Sequence, residues 1–217
     1  MNSFYNDTLY PIQDKVLEII QKSDSPFYLT GGTALSRFYF NHRYSDDLDF
    51  FVNQDTNFVL DADQIIATLG KSAVVEIKLK STTYYSIVVN ELLKVDLVND
   101  VGFRYGEAKS FPEFNRVDNV ENILSNKLSA LISRDEPKDV VDIWIIAKNI
   151  SVDWPKMFQD ANSKAAGIFP PEVAKKLTEF PTTMLEKIKW INDQPEAQVF
   201  SADITNICNS ILKEEID

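Results

Sequence analysis

A single cysteine, Cys208, excludes an intrachain disulfide. It stands at helical spacing with Ile204, Ile207 and Ile211, so it reads as a core residue rather than a nucleophile. The only histidine, His42, has no second histidine or cysteine cluster to join and reads as a loop residue. No window approaches ~20 uninterrupted apolar residues, and the N-terminus lacks a basic flank followed by an apolar stretch. The expectation is a soluble, cytoplasmic protein with no membrane partner. Excess basic charge is missing too: 22 Lys and Arg stand against 33 Asp and Glu, a net charge of −11. That opposes a broad nucleic-acid-binding surface, because nonspecific binding draws on phosphate neutralisation by Lys and Arg. No DNA partner is expected, and any RNA must be gripped locally. Lysines at 127, 138, 148, 156, 164, 175, 176, 187 and 189 leave room for a basic face in the second half.

What the chain does have is concentrated in Gly31 to Phe51, GGTALSRFYFNHRYSDDLDFF. Phe27 to Thr30 reads as a short buried strand. The glycine pair after it lets the backbone turn tightly and approach a phosphate without Cβ interference. A helix starting at or just before Thr33 would aim its free N–H groups and positive dipole end at the same anion. Downstream, Asp47 and Asp49 are two apart on an extended segment, so both carboxylates project from one face while Leu48 and Phe50 anchor the other. Asp46 points the opposite way and reads as a solvated neighbour. Two like charges side by side repel unless a cation neutralises them, and hard oxygen ligands beside a phosphate turn favour Mg2+. A third carboxylate, Asp96, lies on the alternating segment Leu93 to Val98 and shares its polar face with Lys94. Three acids on adjacent strands can hold two metal ions.

The rest of the chain frames these residues. Leu9, Ile12, Val16, Ile19 and Ile20 follow helical spacing, and Ile65, Ile66 and Leu69 mark a second helix. Val75, Ile77 and Leu79 alternate with polar residues, as do Tyr85, Ile87 and Val89, with Asn90-Glu91 as a turn into the Asp96 strand. Phe38, Tyr39 and Phe40 give an apolar face to the helix after the glycines. From about residue 119 the pattern is helical, through Val120 to Leu131 and Val140 to Ile146, with Pro137 as a first-turn residue and Trp144 on the apolar face. Further helices are expected near Trp154 to Asn162, Pro171 to Glu179, Thr182 to Ile191 and Ala202 to Glu214, with proline breaks between them.

The segments GGTAL with DLD (Gly31 to Asp49), KVDL (Lys94 to Leu97), NKLSAL (Asn126 to Leu131) and KDVVDIW (Lys138 to Trp144) occur in one order over about half of the chain. In that order they resemble the nucleotidyltransferase superfamily that includes DNA polymerase beta, and within it the AbiEii/AbiGii (MenT-like) toxin family. The superfamily usually has Gly-Ser where this chain has Gly31-Gly32, which leaves Thr33 to supply the hydroxyl. The resemblance implies an α/β (α+β) fold, with a small mixed-sheet catalytic domain over residues 1–115. An all-helical domain over 116–217 would complete the active-site cleft.

It also implies a Mg2+-dependent transfer of a nucleoside monophosphate from an NTP to an acceptor hydroxyl. Two Mg2+ ions, with Mn2+ as the alternative, would be held by Asp47, Asp49 and Asp96. Gly31, Gly32 and Thr33 would cradle the outgoing phosphates, and Lys127 would neutralise them. Arg43 and Ser45 would cap the turn or touch phosphate. Asp139 and Asp142 match the family's last motif and would position Lys127 or the acceptor, or else pair with Lys138 or Arg134 as surface charges. The family's toxins imply tRNA as acceptor and a cognate antitoxin as partner. The competing readings are a small-molecule nucleotidyltransferase of the aminoglycoside-modifying kind, a protein-modifying one, and a catalytically silent binding module.

Overall fold

Alternation at period 2 in the first half and 3.6 in the second is carried through into the computed structural model, which describes residues 2–102 and 104–213. The chain divides into two units. The first comprises Met1–Tyr39, Tyr44–Val101 and Glu107–Asn119; the second comprises Phe40–Arg43, Gly102–Gly106 and Val120–Asp217. The short segment before the two aspartates thus belongs to the helical unit, which sequence patterning did not anticipate.

The first unit is built on a five-stranded mixed sheet, β1 (Tyr28–Thr30), β2 (Leu48–Asn53), β3 (Val75–Lys80), β4 (Tyr84–Val89) and β5 (Leu93–Asp100), in the order β1-β2-β5-β4-β3. Only β2 and β5 run parallel; the other pairs are antiparallel. Leu48, Phe50 and Val52 of β2, Val95 and Leu97 of β5 and Tyr85, Ile87 and Val89 of β4 are buried. The helices Tyr10–Lys22 and Phe58–Leu69 bury Val16, Leu17, Ile20, Phe58, Ala62 and Ile65 in the same core. Phe58 joins these layers, its ring standing edge-on to Phe27 at 5.9 Å and to Tyr85 at 5.5 Å. Asn90 and Glu91 both take positive φ in a tight turn, where the Leu92 N–H donates to the Val89 carbonyl at 3.1 Å. The outer edge of β1 is covered by residues 116–118: the Leu29 N–H donates to the Arg116 carbonyl and the Asp118 N–H to the Leu29 carbonyl, both at 2.8 Å.

The second unit contains the helices Val120–Ser133, Pro137–Asn149, Trp154–Lys164, Pro170–Thr178 and Ala197–Lys213. Pro137 opens its helix where the missing N–H costs nothing, and the Asp153 carboxylate caps the next by accepting from the Lys156 N–H at 3.1 Å. Trp144 and Cys208 are core residues as their spacing predicts, 6% and 7% exposed. The helix expected over Thr182 to Ile191 is only a 3-10 turn, Thr182–Lys187. Its chain then leaves helical geometry at Ile188, and the Ile191 N–H donates to the His42 carbonyl. That cross-connection outweighs local helical preference. Glu214, the expected end of the last helix, lies outside the described residues.

Candidate active site

In the sheet unit the glycine turn and two of the three carboxylates converge. Gly31 begins a helical turn, Gly31–Ala34, that continues as a π-helix over Leu35–Phe40. Its φ is +72°, and a Cβ placed on it would fall 2.5 Å from Asp49 Oδ2. The first glycine is therefore required twice, once by the left-handed backbone and once by the carboxylate packed against it. Gly31→Ala is expected to cost about 1–3 kcal/mol from backbone strain, with further loss of activity because Asp49 must shift. Thermal unfolding of the variant beside a turnover assay checks both parts, and an unchanged melting temperature would refute the packing argument.

Asp49 is in register with Thr30 on one side and Asp96 on the other. Residues opposite one another in adjacent strands share a face, so the two carboxylates are neighbours on the face opposite Leu48 and Phe50. Asp47 stands one residue before β2, and its carbonyl accepts the Thr33 hydroxyl, tying the glycine turn to the aspartate segment. That hydroxyl, expected at a phosphate, is here a bond of the turn itself. Ser45 lies buried just upstream. Asp96 Oδ1 accepts the Ser86 hydroxyl at 2.7 Å, and Oδ2 meets the Lys94 ammonium at 2.5 Å. Burial pulls Lys94 downward, but its hydrogen bond to Asp96 and the charges of Asp96 and Asp47 outweigh that and raise its pKa. Among the described residues no group of three or more His, Cys, Asp or Glu side chains is arranged as a metal site. The donor chemistry nevertheless fits Mg2+: hard carboxylate oxygens, those of Asp49 and Asp96 in register beside a glycine turn, with Asp96 also covered by Lys94 and Asp47 one residue before the strand.

Two supports of this segment escaped sequence reasoning. Gln13 is fully buried, donating through Nε2 to the Ser45 carbonyl at 3.1 Å and accepting from Arg37 at 3.1 Å through Oε1. Its position on the apolar face of its helix, in step with Leu9, Val16 and Ile20, was the available signal: a polar residue where the pattern calls for an apolar one. Asp46, read as solvated, is half-buried and accepts the Tyr5 hydroxyl at 2.5 Å.

The remaining expected site residues come together inside the helical unit. Asp142, on the Pro137–Asn149 helix, is fully buried. Its Oδ1 accepts from Arg43 Nε at 2.7 Å and His42 Nε2 at 3.0 Å, and its Oδ2 from Arg43 at 2.7 Å and Lys127 Nζ at 2.6 Å. Lys127 also donates to Asp139 Oδ1 at 2.8 Å, and Asp139 receives a two-pronged contact from Arg134 at 2.7 and 3.0 Å. Lys127 is 6% exposed and Arg43 4% exposed, so neither is an ordinary surface cation. Both Asp139 and Asp142 contact Lys127, and Asp139, itself fully buried, also pairs with half-exposed Arg134.

Burial alone would raise Asp142, but the Arg43 and Lys127 charges and the hydrogen bonds from Arg43 and His42 hold it well below the usual carboxylate range. Asp139 is lowered in the same way, against its burial, chiefly by the Lys127 charge. Burial lowers His42 more than its bond to Asp142 raises it. An ionised Asp142 can only accept, so His42 Nε2 carries the proton of that bond.

The fold is shared with solved structures. MenT4, a nucleotidyltransferase toxin from Mycobacterium tuberculosis, matches with a TM-score of 0.62 at 14% identity, over 94% of this chain and 82% of its own. JHP933 from Helicobacter pylori matches with a TM-score of 0.58 at 19% identity, over 94% of this chain and 92% of its own. A comparison with curated proteins gives no match. Residues 16–217 match the family described as "Nucleotidyl transferase AbiEii toxin, Type IV TA system", and the chain belongs to that family of nucleotidyl transferase toxins. Among the described residues no helix is long and apolar enough to cross a membrane.

Proposed function

We propose that the protein transfers a nucleoside monophosphate from an NTP to an acceptor hydroxyl, with tRNA as the acceptor and a cognate antitoxin restraining it. The observation that carries the reading is the in-register pairing of Asp49 with Asp96 beside Gly31. Asp47, Asp49 and Asp96 would hold two Mg2+ ions. When bound, these supply Lewis-acid neutralisation of the phosphate charge and make the acceptor hydroxyl a better nucleophile. The backbone of Gly31, Gly32 and Thr33 offers N–H groups to the phosphates at the start of the helical turn. The acceptor hydroxyl attacks the α-phosphorus, a new P–O bond forms, and the bond to pyrophosphate breaks. Lys127, held between Asp139 and Asp142, is the proposed cation for the triphosphate, and the field of Arg43 and Arg134 keeps the surroundings of Asp139 and Asp142 positive. Arg43 and Ser45 act by fixing the chain just ahead of Asp47, Arg43 through Asp142 and Ser45 through Gln13.

A second reading, transfer to a protein or small-molecule hydroxyl, draws support from the net charge of −11, which is unfavourable to RNA. Incubation with Mg2+ and each of the four labelled NTPs, together with total tRNA, a protein extract or buffer, separates them. Label in tRNA, absent with Asp47→Ala, is the expected result. Label in protein, or NTP binding without labelled macromolecule, would overturn the tRNA assignment. Absence of both binding and transfer would overturn the enzymatic reading in favour of a silent module.

A further inference from the structure

Both oxygens of Asp96 are engaged by the protein itself. Oδ1 accepts the Ser86 hydroxyl, and the Lys94 ammonium sits on Oδ2 at 2.5 Å. Lys94 and Asp96 are two apart on β5, so they share the face on which Asp49 stands opposite Asp96. The ammonium also lies in the field of Asp47. One tethered positive charge is therefore bonded to Asp96 and acts on Asp47 as well, beside an Asp49 carboxylate in register with Asp96. A divalent cation reaching Asp96 Oδ2 meets an ammonium already in place, and the two cations repel across a few ångströms.

We propose that Lys94 is a built-in counter-ion that a divalent metal must displace, so that metal binds weakly alone and more tightly together with a nucleoside triphosphate. The inference rests on the proposed metal role of Asp47, Asp49 and Asp96. The triphosphate supplies the missing half: its negative oxygens give the released ammonium a new partner, so metal and nucleotide each favour the other's binding. Linkage makes this reciprocal, and the factor by which nucleotide tightens metal is the factor by which metal tightens nucleotide. In the free protein, Lys94 disfavours a metal ion without its substrate.

The side chain of Lys94 is 47% exposed against 12% for Asp96, so its removal leaves the core intact and the ion pair is of moderate strength. The test is Mn2+ binding, followed by electron paramagnetic resonance, with and without α,β-methylene triphosphate analogues of the four nucleosides. Wild type is compared with Lys94→Met, Lys94→Gln, Lys94→Arg and Asp96→Asn, each checked by circular dichroism. Both neutral variants are expected to bind Mn2+ alone about fivefold tighter than wild type and to lose a similar factor of the gain from nucleotide, while Lys94→Arg stays close to wild type. Unchanged or weaker Mn2+ binding by folded Lys94→Met and Lys94→Gln, with Asp96→Asn still abolishing binding, would overturn the role of Lys94 and leave the metal site standing. Mn2+ binding that Asp96→Asn does not alter, or its absence in wild type even with nucleotide, would overturn the metal site and the inference with it.

Discussion

Asp49→Ala is expected to lower nucleotidyl transfer by roughly three orders of magnitude while leaving the fold intact. Its carboxylate lies against Gly31 and in register with Asp96, the one place in the sheet unit where the glycine turn and two acids meet. Like charges directly opposite one another in a sheet are unfavourable by about 0.2–1 kcal/mol, so removing one of them should leave the melting temperature unchanged or slightly raised. Pyrophosphate release and thermal unfolding, measured on the same preparation, give the two readouts. Turnover within tenfold of wild type would refute the assignment of Asp49 to the chemistry. A large loss of stability would instead make Asp49 a structural residue.

Asp142→Ala is expected to have the largest effect on stability, about 3–5 kcal/mol, or roughly 10 °C in melting temperature for a chain of this size. The fully buried carboxylate is the common acceptor for Arg43, His42 and Lys127. Without it, two cations remain buried with one fewer acid between them. Replacing Asp14, whose ion pair with Arg37 is 57% exposed on the aspartate side, should cost no more than about 1 kcal/mol. The pH dependence follows from the direction of the Asp142 shift. Its folded pKa lies well below the ordinary value of 3.8, so its contribution is fully present above that value. It is lost as pH falls from about 4 toward the folded pKa, where protonation breaks the contacts with Arg43 and Lys127. Chemical denaturation at pH 7, and then at successive steps below pH 5, follows this loss. A cost below 1 kcal/mol for Asp142→Ala at pH 7 would show that the buried network is not what holds the helical unit together.

Most of the strands and helices could be read from spacing because each period is a property of the backbone: two residues per repeat in strands and 3.6 in helices. The alternation of Val75 to Leu79, Tyr85 to Val89 and Leu93 to Val98 is present as three strands, and the turn at Asn90-Glu91 is where the composition places it. The misread 3-10 segment, Thr182–Lys187, is the instructive exception. Its residues are compatible with a helix, but a backbone bond from Ile191 to the His42 carbonyl, 149 positions away in sequence, decides its course.

The candidate site divides in the same way. Gly31, Asp47, Asp49 and Asp96 could be selected as a group from the sequence, because strand alternation and a glycine turn are local. The pairing of charges within the helical unit could not be read in the same way. Lys127, by residue type, reads as an exposed helix lysine, yet it is buried between two aspartates, and His42 has the look of a loop residue, yet its imidazole donates to Asp142.

The sequence by itself determined the order of strands and helices, the glycine turn, the set of acids and the family resemblance. Only the tertiary structure decided how the charges pair: Lys94 on Asp96, Arg43 and His42 on Asp142, Lys127 between Asp139 and Asp142. The reason is physical. Periodicity is set by neighbours along the chain, whereas the pairing of a buried charge is set by the cost of removing it from water. That cost is offset only by groups that the fold brings from as far as 100 residues away.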